Sequence, residues 1–273
     1  MNNSSTYVNS KRSRLLIALS LLWCFELHAA PPAPLPNVVP QGAKVAAGVA
    51  NVSSGGTRSA PVLNVNQSSQ RAVVDWNTFN VGKDATVNFN QPNANASTLN
   101  RISDPNPSAI HGKINAPGEV VLVNPAGVYI GKNASLDVGA VVATTHNVNN
   151  DDYMAGSPKY ERNGASGKVV NRGTIQTSLK GYVALLAPEV RNGGVIVARM
   201  GTVVMASGER IVLNFDSSSK LASITTTPSN IATLIQNKSA VEAPGGLIIL
   251  SARATNQLVG GVIKQGGSLV ADE

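Results

Sequence analysis

Cysteine is all but missing from this chain: Cys24 is the single example, and it sits in an apolar run near the N-terminus. With that run removed, neither disulfides nor thiol chemistry can hold or drive what remains. Histidine is almost as scarce. His28 belongs to the N-terminal segment, and His111 and His146 lack partners at metal-ligand spacing, so both are expected on the surface or in turns. Aromatic residues make up 4% and charged residues 14% of the chain. A Gly-rich phosphate loop and a Gly-x-Ser-x-Gly elbow are both absent. The carboxylates Glu119, Asp137, Glu189 and Glu242 stand alone. The pair Asp151–Asp152 falls in a polar stretch that reads as a solvated loop. A polysaccharide-cleaving enzyme would need carboxylates converging with Arg, Lys or Ca²⁺. No catalytic, cofactor-binding or metal-binding residue is therefore assigned, and no cofactor is expected. The 22 basic and 15 acidic residues leave +7. These charges are dispersed along Lys44, Arg58, Arg71, Lys83 and Arg101 without interleaved aromatics, which argues against a nucleic-acid partner.

What the chain has instead is repetition. Gly112 to Pro125 reads GKINAPGEVVLVNP, Gly173 to Pro188 reads GTIQTSLKGYVALLAP, Gly194 to Ser207 reads GVIVARMGTVVMAS, and Ser239 to Ala252 reads SAVEAPGGLIILSA. The first and last align without a gap, Ile114 on Val241 and Gly118 on Gly245. Each phrase is a short apolar pair, a variable turn and a longer apolar strand. Recurrence at about twenty residues marks a solenoid, whose units bury their apolar faces against one another. Alternation such as Ile175/Thr177 gives strands rather than helices. A leucine-rich repeat would need regularly spaced Leu and Asn, and a propeller blade a longer period. The expected fold is all-β, a parallel β-helix with two strands per unit; a β-sandwich with coincidentally similar strands is the competing architecture.

Residues 1–30 read as a signal peptide. Lys11, Arg12 and Arg14 precede the apolar run Leu15 to Phe25, with a small-residue cleavage site at Ala29 or Ala30. The run is short for a membrane span. Its partners would be the Sec translocon and signal peptidase. Residues 31–43 form a Pro-rich leader. Lys44 to Val52 and Pro61 to Val65 read as an N-terminal β cap. Asn147 to Gly167 is a loop outside the stack, and Ile211 to Phe215 with Leu221 to Thr225 makes a flanking hairpin. The domain is set at 44–273. Its last phrase, GVIKQGGSLVAD, starts a coil with no cap after it, which reads as truncation within a longer protein.

The run GEVVLVNPAGVYIGKNASLDVGAVVATT (118–145) resembles the haemagglutination-activity, or two-partner-secretion (TpsA-type), domain that opens filamentous-haemagglutinin-like exoproteins. VPQGAKVAAG, VNQSSQRAVVDWNTFNVG, VNFNQPN, LNRI, DPNPSAIHGKI and GYVALLAPEVRNGGVIVARMGTVVMASGE resemble it in the same order. The resemblance implies a right-handed parallel β-helix that targets an adhesin-like exoprotein to a cognate outer-membrane β-barrel transporter of the Omp85 type, for secretion to the surface of a Gram-negative cell. Host-cell contact would lie downstream. A carbohydrate-active β-helix enzyme and an autotransporter passenger are the alternatives. The family signature Asn-Pro-Asn-Gly-Ile is matched by Asn124, Pro125, Ala126, Gly127 and Val128. These residues are the candidate transporter-recognition motif, and Ala126 departs from it. Asn at the first, Pro at the second and Gly at the fourth position also suit a type I turn.

Overall fold

A computed structural model describes residues 30–255 and 260–272. The expected signal peptide, apart from Ala30, lies outside them. The first strands are β1 (Lys44–Ala47) and β2 (Ala50–Gly56), which pair antiparallel onto β4 and β3 and so cap one end. The first coil holds β3 (Pro61–Gln67) and β4 (Arg71–Trp76), the second β5 (Thr86–Asn90), β6 (Ser97–Ile102) and β7 (Ser108–Ile110). β8 (Lys113–Val123) and β9 (Gly127–Ile130) form the third. The fourth holds β10 (Ser135–Thr144), then α1 (Asn150–Met154) and β11 (Lys159–Glu161) off the stack, then β12 (Lys168–Asn171). β13 (Thr174–Thr177), β14 (Tyr182–Leu186) and β15 (Glu189–Asn192) form the fifth. The sixth holds β16 (Val195–Val197), β17 (Thr202–Ser207), the off-stack β18 (Arg210–Phe215) and β19 (Leu221–Thr227), and β20 (Thr233–Asn237). β21 (Ala240–Glu242), β22 (Leu247–Ala252) and β23 (Gly261–Gln265) form the seventh, and β24 (Ser268–Val270) follows. Successive coils pair in parallel, so the fold is the expected parallel β-helix.

Each coil supplies one residue to each interior rung. Leu63, Val87, Ile114, Leu136, Ile175, Ile196 and Val241 are register partners in turn, and all are buried. Their branched side chains suit a narrow core made from stacked pleats. A second interior ladder is polar. Asn171 Nδ2 donates to Asn192 Oδ1 and Asn192 Nδ2 to Asn237 Oδ1, both at 2.8 Å, which satisfies amides that would otherwise be stranded in the corner. The corner between first and second strands is a column of glycines. A Cβ on Gly139 would lie 2.4 Å from the Pro117 oxygen, on Gly181 2.0 Å from the Gly139 oxygen, on Gly201 1.9 Å from the Gly181 oxygen, and on Gly246 2.0 Å from the Gly201 oxygen. Only glycine lets coils approach to the spacing that backbone pairing demands, about 4.8 Å.

The architecture differs from the sequence expectation in four respects. A full coil has three strands rather than two, because the third-strand sheet β7-β9-β12-β15-β20-β23 is built from the residues after each phrase. Ser135–Thr144 is a further copy of the phrase, concealed by a turn shorter than those of its neighbours. The gapless alignment slips by one after the turn: Gly118 and Gly246 occupy the glycine column, and Gly245, at φ +66°, is the extra residue of a longer turn. Finally, Asn147 to Gly167 is not merely a loop, for it contains α1 and β11, and Asp151 and Asp152 lie in the first turn of that helix beneath the Asn149 cap. The flanking hairpin is present as β18–β19.

The outer face of the second-strand sheet is also covered. Val73, Leu99, Val121, Val142, Ala184, Leu186 and Val204 point away from the coil interior and pack under Tyr153, Tyr160, Ile211, Leu213 and Leu221 from the two off-stack segments. Burying a large side chain of this kind contributes about 1.5–3 kcal/mol. The Pro-rich segment is laid on the first coil: Gly82 N–H donates to the Val38 oxygen and Asp84 N–H to the Pro36 oxygen. At the other end Val262, Ile263 and Leu269 are roughly two-fifths exposed. Among the described residues no helix is long and apolar enough to cross a membrane.

Candidate functional site

The third coil turns from β8 to β9 through Asn124–Val128. Gly127 N–H donates to the Asn124 oxygen at 2.9 Å and closes the turn. Asn124 Oδ1 accepts from Ala126 N–H at 2.9 Å, while its Nδ2 donates to the Asn106 oxygen and Ser108 Oγ of the coil before it. Asn124 is thus fully buried and stitches its own turn to the neighbouring coil. Gly127 has φ +132°, and a Cβ there would meet the Lys168 oxygen at 2.9 Å. Val128 is a core residue. Of the five candidate residues, then, three face inward; Pro125 is exposed and Ala126 half-buried. Pro125 borders a groove of 760 Å³ lined also by Trp76, Ile102, Val123, Thr145 and Arg162 among others.

The same corner, between second and third strands, is where the fourth and sixth coils let the chain leave the stack. The two excursions, 147–167 and 208–232, are clasped together. β11 pairs antiparallel with β18. Arg162, only 7% exposed, donates from Nε to Glu209 Oε2 at 2.8 Å, from Nη2 to Asn230 Oδ1 at 2.7 Å and from Nη1 to the Ala165 oxygen. Arg210 pairs with Glu161 at 2.7 Å. The undecorated Asn124 corner lies beside this clasp, one coil away from the first excursion.

His146 corrects a sequence expectation. It is fully buried rather than on the surface, with Nε2 2.9 Å from the Gly208 oxygen and its backbone N–H bonded to Thr144 Oγ1. Burial lowers its pKa below the ordinary histidine value. Nothing in its neighbours by sequence signals this, because Gly208 is 62 residues away. His111 is half-buried against Tyr129, ring centroids 5.7 Å apart. Asp152 pairs with Lys159 at 3.4 Å, and no His, Cys, Asp and Glu cluster among the described residues has the makings of a metal site. Asp151 and Asp152 line neither the groove beside Asn124 nor any part of the Arg162 clasp.

The sequence model of the TPS secretion domain family matches residues 37–272. A heme/hemopexin-binding protein of Haemophilus influenzae is 31% identical over 159 residues, which is 56% of this chain and 17% of that protein. The crystal structure of the HMW1 secretion domain from Haemophilus influenzae superposes with a TM-score of 0.70 at 26% identity, over 85% of this chain and 64% of that one. The chain therefore spans less than two thirds of the length of either relative. Coil stack, cap and matched span coincide, and the chain belongs to the TPS secretion domain family, the targeting part of two-partner-secretion exoproteins.

Proposed function

We propose that the coil stack is the export address of a secreted, adhesin-like exoprotein, and that its cognate outer-membrane β-barrel transporter touches it at the Asn124–Val128 corner. The observation that carries this is the division of labour within the turn. Asn124, Gly127 and Val128 are committed inward, whereas Pro125 lines the 760 Å³ groove and Ala126 beside it stays half-exposed. An inward-locked turn presents its two outward residues at fixed positions, which lowers the ordering cost of docking. Ala126 replaces the second Asn of the family signature, so contact here rests on backbone, Pro125 and the groove wall rather than on an amide side chain. The route begins at the Sec translocon with removal of the N-terminal segment by signal peptidase, and ends at the cell surface. Host-surface or haem engagement is assigned to parts of the exoprotein other than this domain.

The test is to produce the full chain with and without the transporter and measure the secreted fraction. Export is expected only with the barrel, and Ala126→Arg is expected to lower it while leaving thermal unfolding of the purified protein unchanged. Equal export without the barrel sinks the targeting proposal. Full export of Ala126→Arg sinks the corner assignment alone.

A further inference from the structure

A second cleft, of 790 Å³, lies on the opposite corner, between first and second strands, and has no part in the export proposal. The glycine column makes its floor: Gly139 and Gly181 carry no side chain, and Ala140 contributes a methyl group. Across that gap Tyr182 donates its hydroxyl to Glu119 Oε1. Tyr153, hydrogen-bonded to Ser97 Oγ, and Tyr160 close the floor from the first excursion. The Tyr160 hydroxyl is buried and has no hydrogen-bond partner among the described residues. Burial, and next the charge of Glu119, raise all three phenols well above their ordinary pKa, so they remain neutral donors. One wall is Phe215, edge-on to Tyr182 at 5.4 Å yet 43% exposed. Arg71, Lys180 and Lys220 stand around the rim. Four non-glycine residues among those described have positive φ, and three of them, Lys180, Met200 and Ser219, line this cleft. Such backbone is strained for a residue with a side chain, and it collects where a surface is shaped for contact.

We propose that this cleft binds a linear acidic saccharide. Sugar hydroxyls supply the donors that the half-buried Glu119 carboxylate accepts. The apolar face of a sugar ring covers the exposed Phe215 ring. Carboxylate or sulfate groups meet the cationic rim, where charge-assisted hydrogen bonds are the strong ones. The cleft runs along the stack axis, from Gln70 in the first coil to Met200 in the sixth, which suits an extended polymer rather than a compact ligand. A basic peptide would face three rim cations. A single-stranded nucleic acid would bring phosphates with no donor for Glu119, and would want several stacking platforms where one exposed aromatic wall is present.

The full chain is titrated calorimetrically with tetragalacturonate, with neutral maltotetraose and with an oligothymidylate. Tetragalacturonate is expected to bind at least about tenfold tighter than either comparator, and Lys180→Gln/Lys220→Gln and Phe215→Ser are each expected to weaken it by about tenfold. All three substituted side chains border solvent, and circular dichroism confirms that the variants keep the stack. No heat with tetragalacturonate, equal affinity for maltotetraose, tighter binding of oligothymidylate, or undiminished affinity in both variants overturns the proposal. Because the assay uses purified protein, its outcome is separate from that of the export test.

Discussion

Along the stack, the coils repeat their contacts: a rung position filled by Leu63, Val87, Ile114 and their successors, from the third coil on a glycine against the carbonyl of the coil before, and in the fourth to sixth coils an Asn in the polar ladder. The two excursions repeat nothing. They are held by single events between residues far apart in sequence: Arg162 with Glu209 and Asn230, His146 with Gly208, Arg210 with Glu161. The stack is consequently held by periodic backbone pairing and close approach, whereas its cover adds individual side-chain contacts to one local run of backbone pairing, β11–β18–β19. Backbone pairing in a solenoid sums over nearest neighbours, so its tolerance of a fault is local. A clasp of a few polar side chains fails as one network.

The sharpest way to break the stack is Gly181→Ala, whose Cβ would sit 2.0 Å from the Gly139 oxygen with backbone on both sides. It is expected to cost about 3 kcal/mol or more in chemical denaturation. Gly164→Ala in the first excursion is its control. There φ is +83° but nothing lies within 4 Å, so about 1 kcal/mol is expected. Equal losses would mean that the glycine column does not set the coil spacing. Next, Arg162→Ala removes the buried centre of the clasp, while its partners Glu209 and Asn230 keep access to water, for about 1–2 kcal/mol. Amide exchange should rise across 147–167 and 208–232 while β13–β17 stay protected; uniform exposure would show that stack and cover unfold together. Asn192→Ala interrupts the polar ladder and strands Asn171 Nδ2, for about 1–2 kcal/mol, with exchange rising in β12, β15 and β20 rather than in the excursions.

The mildest probe is acid. Burial holds His146 below its ordinary pKa, and the Gly208 carbonyl and Glu209 only partly offset this. The unfolded chain then takes up the proton first, so this part of the stability is intact above a pH of about 6.5 and declines as pH falls below it. For Glu189, burial pushes the carboxyl up, but hydrogen bonds from Lys168 and Arg191 outweigh it and the net shift is downward. Stability from that stack residue is complete above the ordinary carboxylate value of about 4.5 and is lost only at lower pH. Acid is therefore expected to release the excursions before the coils, in two exchange or fluorescence steps. His146→Gln should remove the upper step; its persistence in that variant would exclude His146 as the source.

The same contrast explains what the sequence disclosed. Periodic contacts leave periodic residues, so Ile114, Ile175, Ile196 and Val241 declare the coils without any structure. The phrase at Ser135–Thr144 escaped because its turn is shorter than those at Pro117 and at Ser178–Lys180 on either side, although Leu136, Val138 and Gly139 keep the spacing. The third strands escaped because short runs such as Lys168–Asn171 and Glu189–Asn192 alternate over too few residues to stand out. The turn Asn124–Gly127 was visible as a turn, but the burial of Asn124 depends on Asn106 and Ser108 from another coil. Non-periodic contacts leave no such trace. Nothing adjacent to His146, Tyr160 or Arg162 marks them as buried, because their partners lie in the other excursion or on the outer face of the sheet.

The clasp joins the fourth coil to the sixth and passes over the fifth. Glu161 waits 49 residues for Arg210, and Arg162 waits 68 for Asn230. In a chain laid down coil by coil from the capped end, β11 has no strand to pair with until β18 follows β13 to β17. The late-arriving hairpin thus acts as a timer: the outer face of the second-strand sheet closes only after the coils between have been counted out.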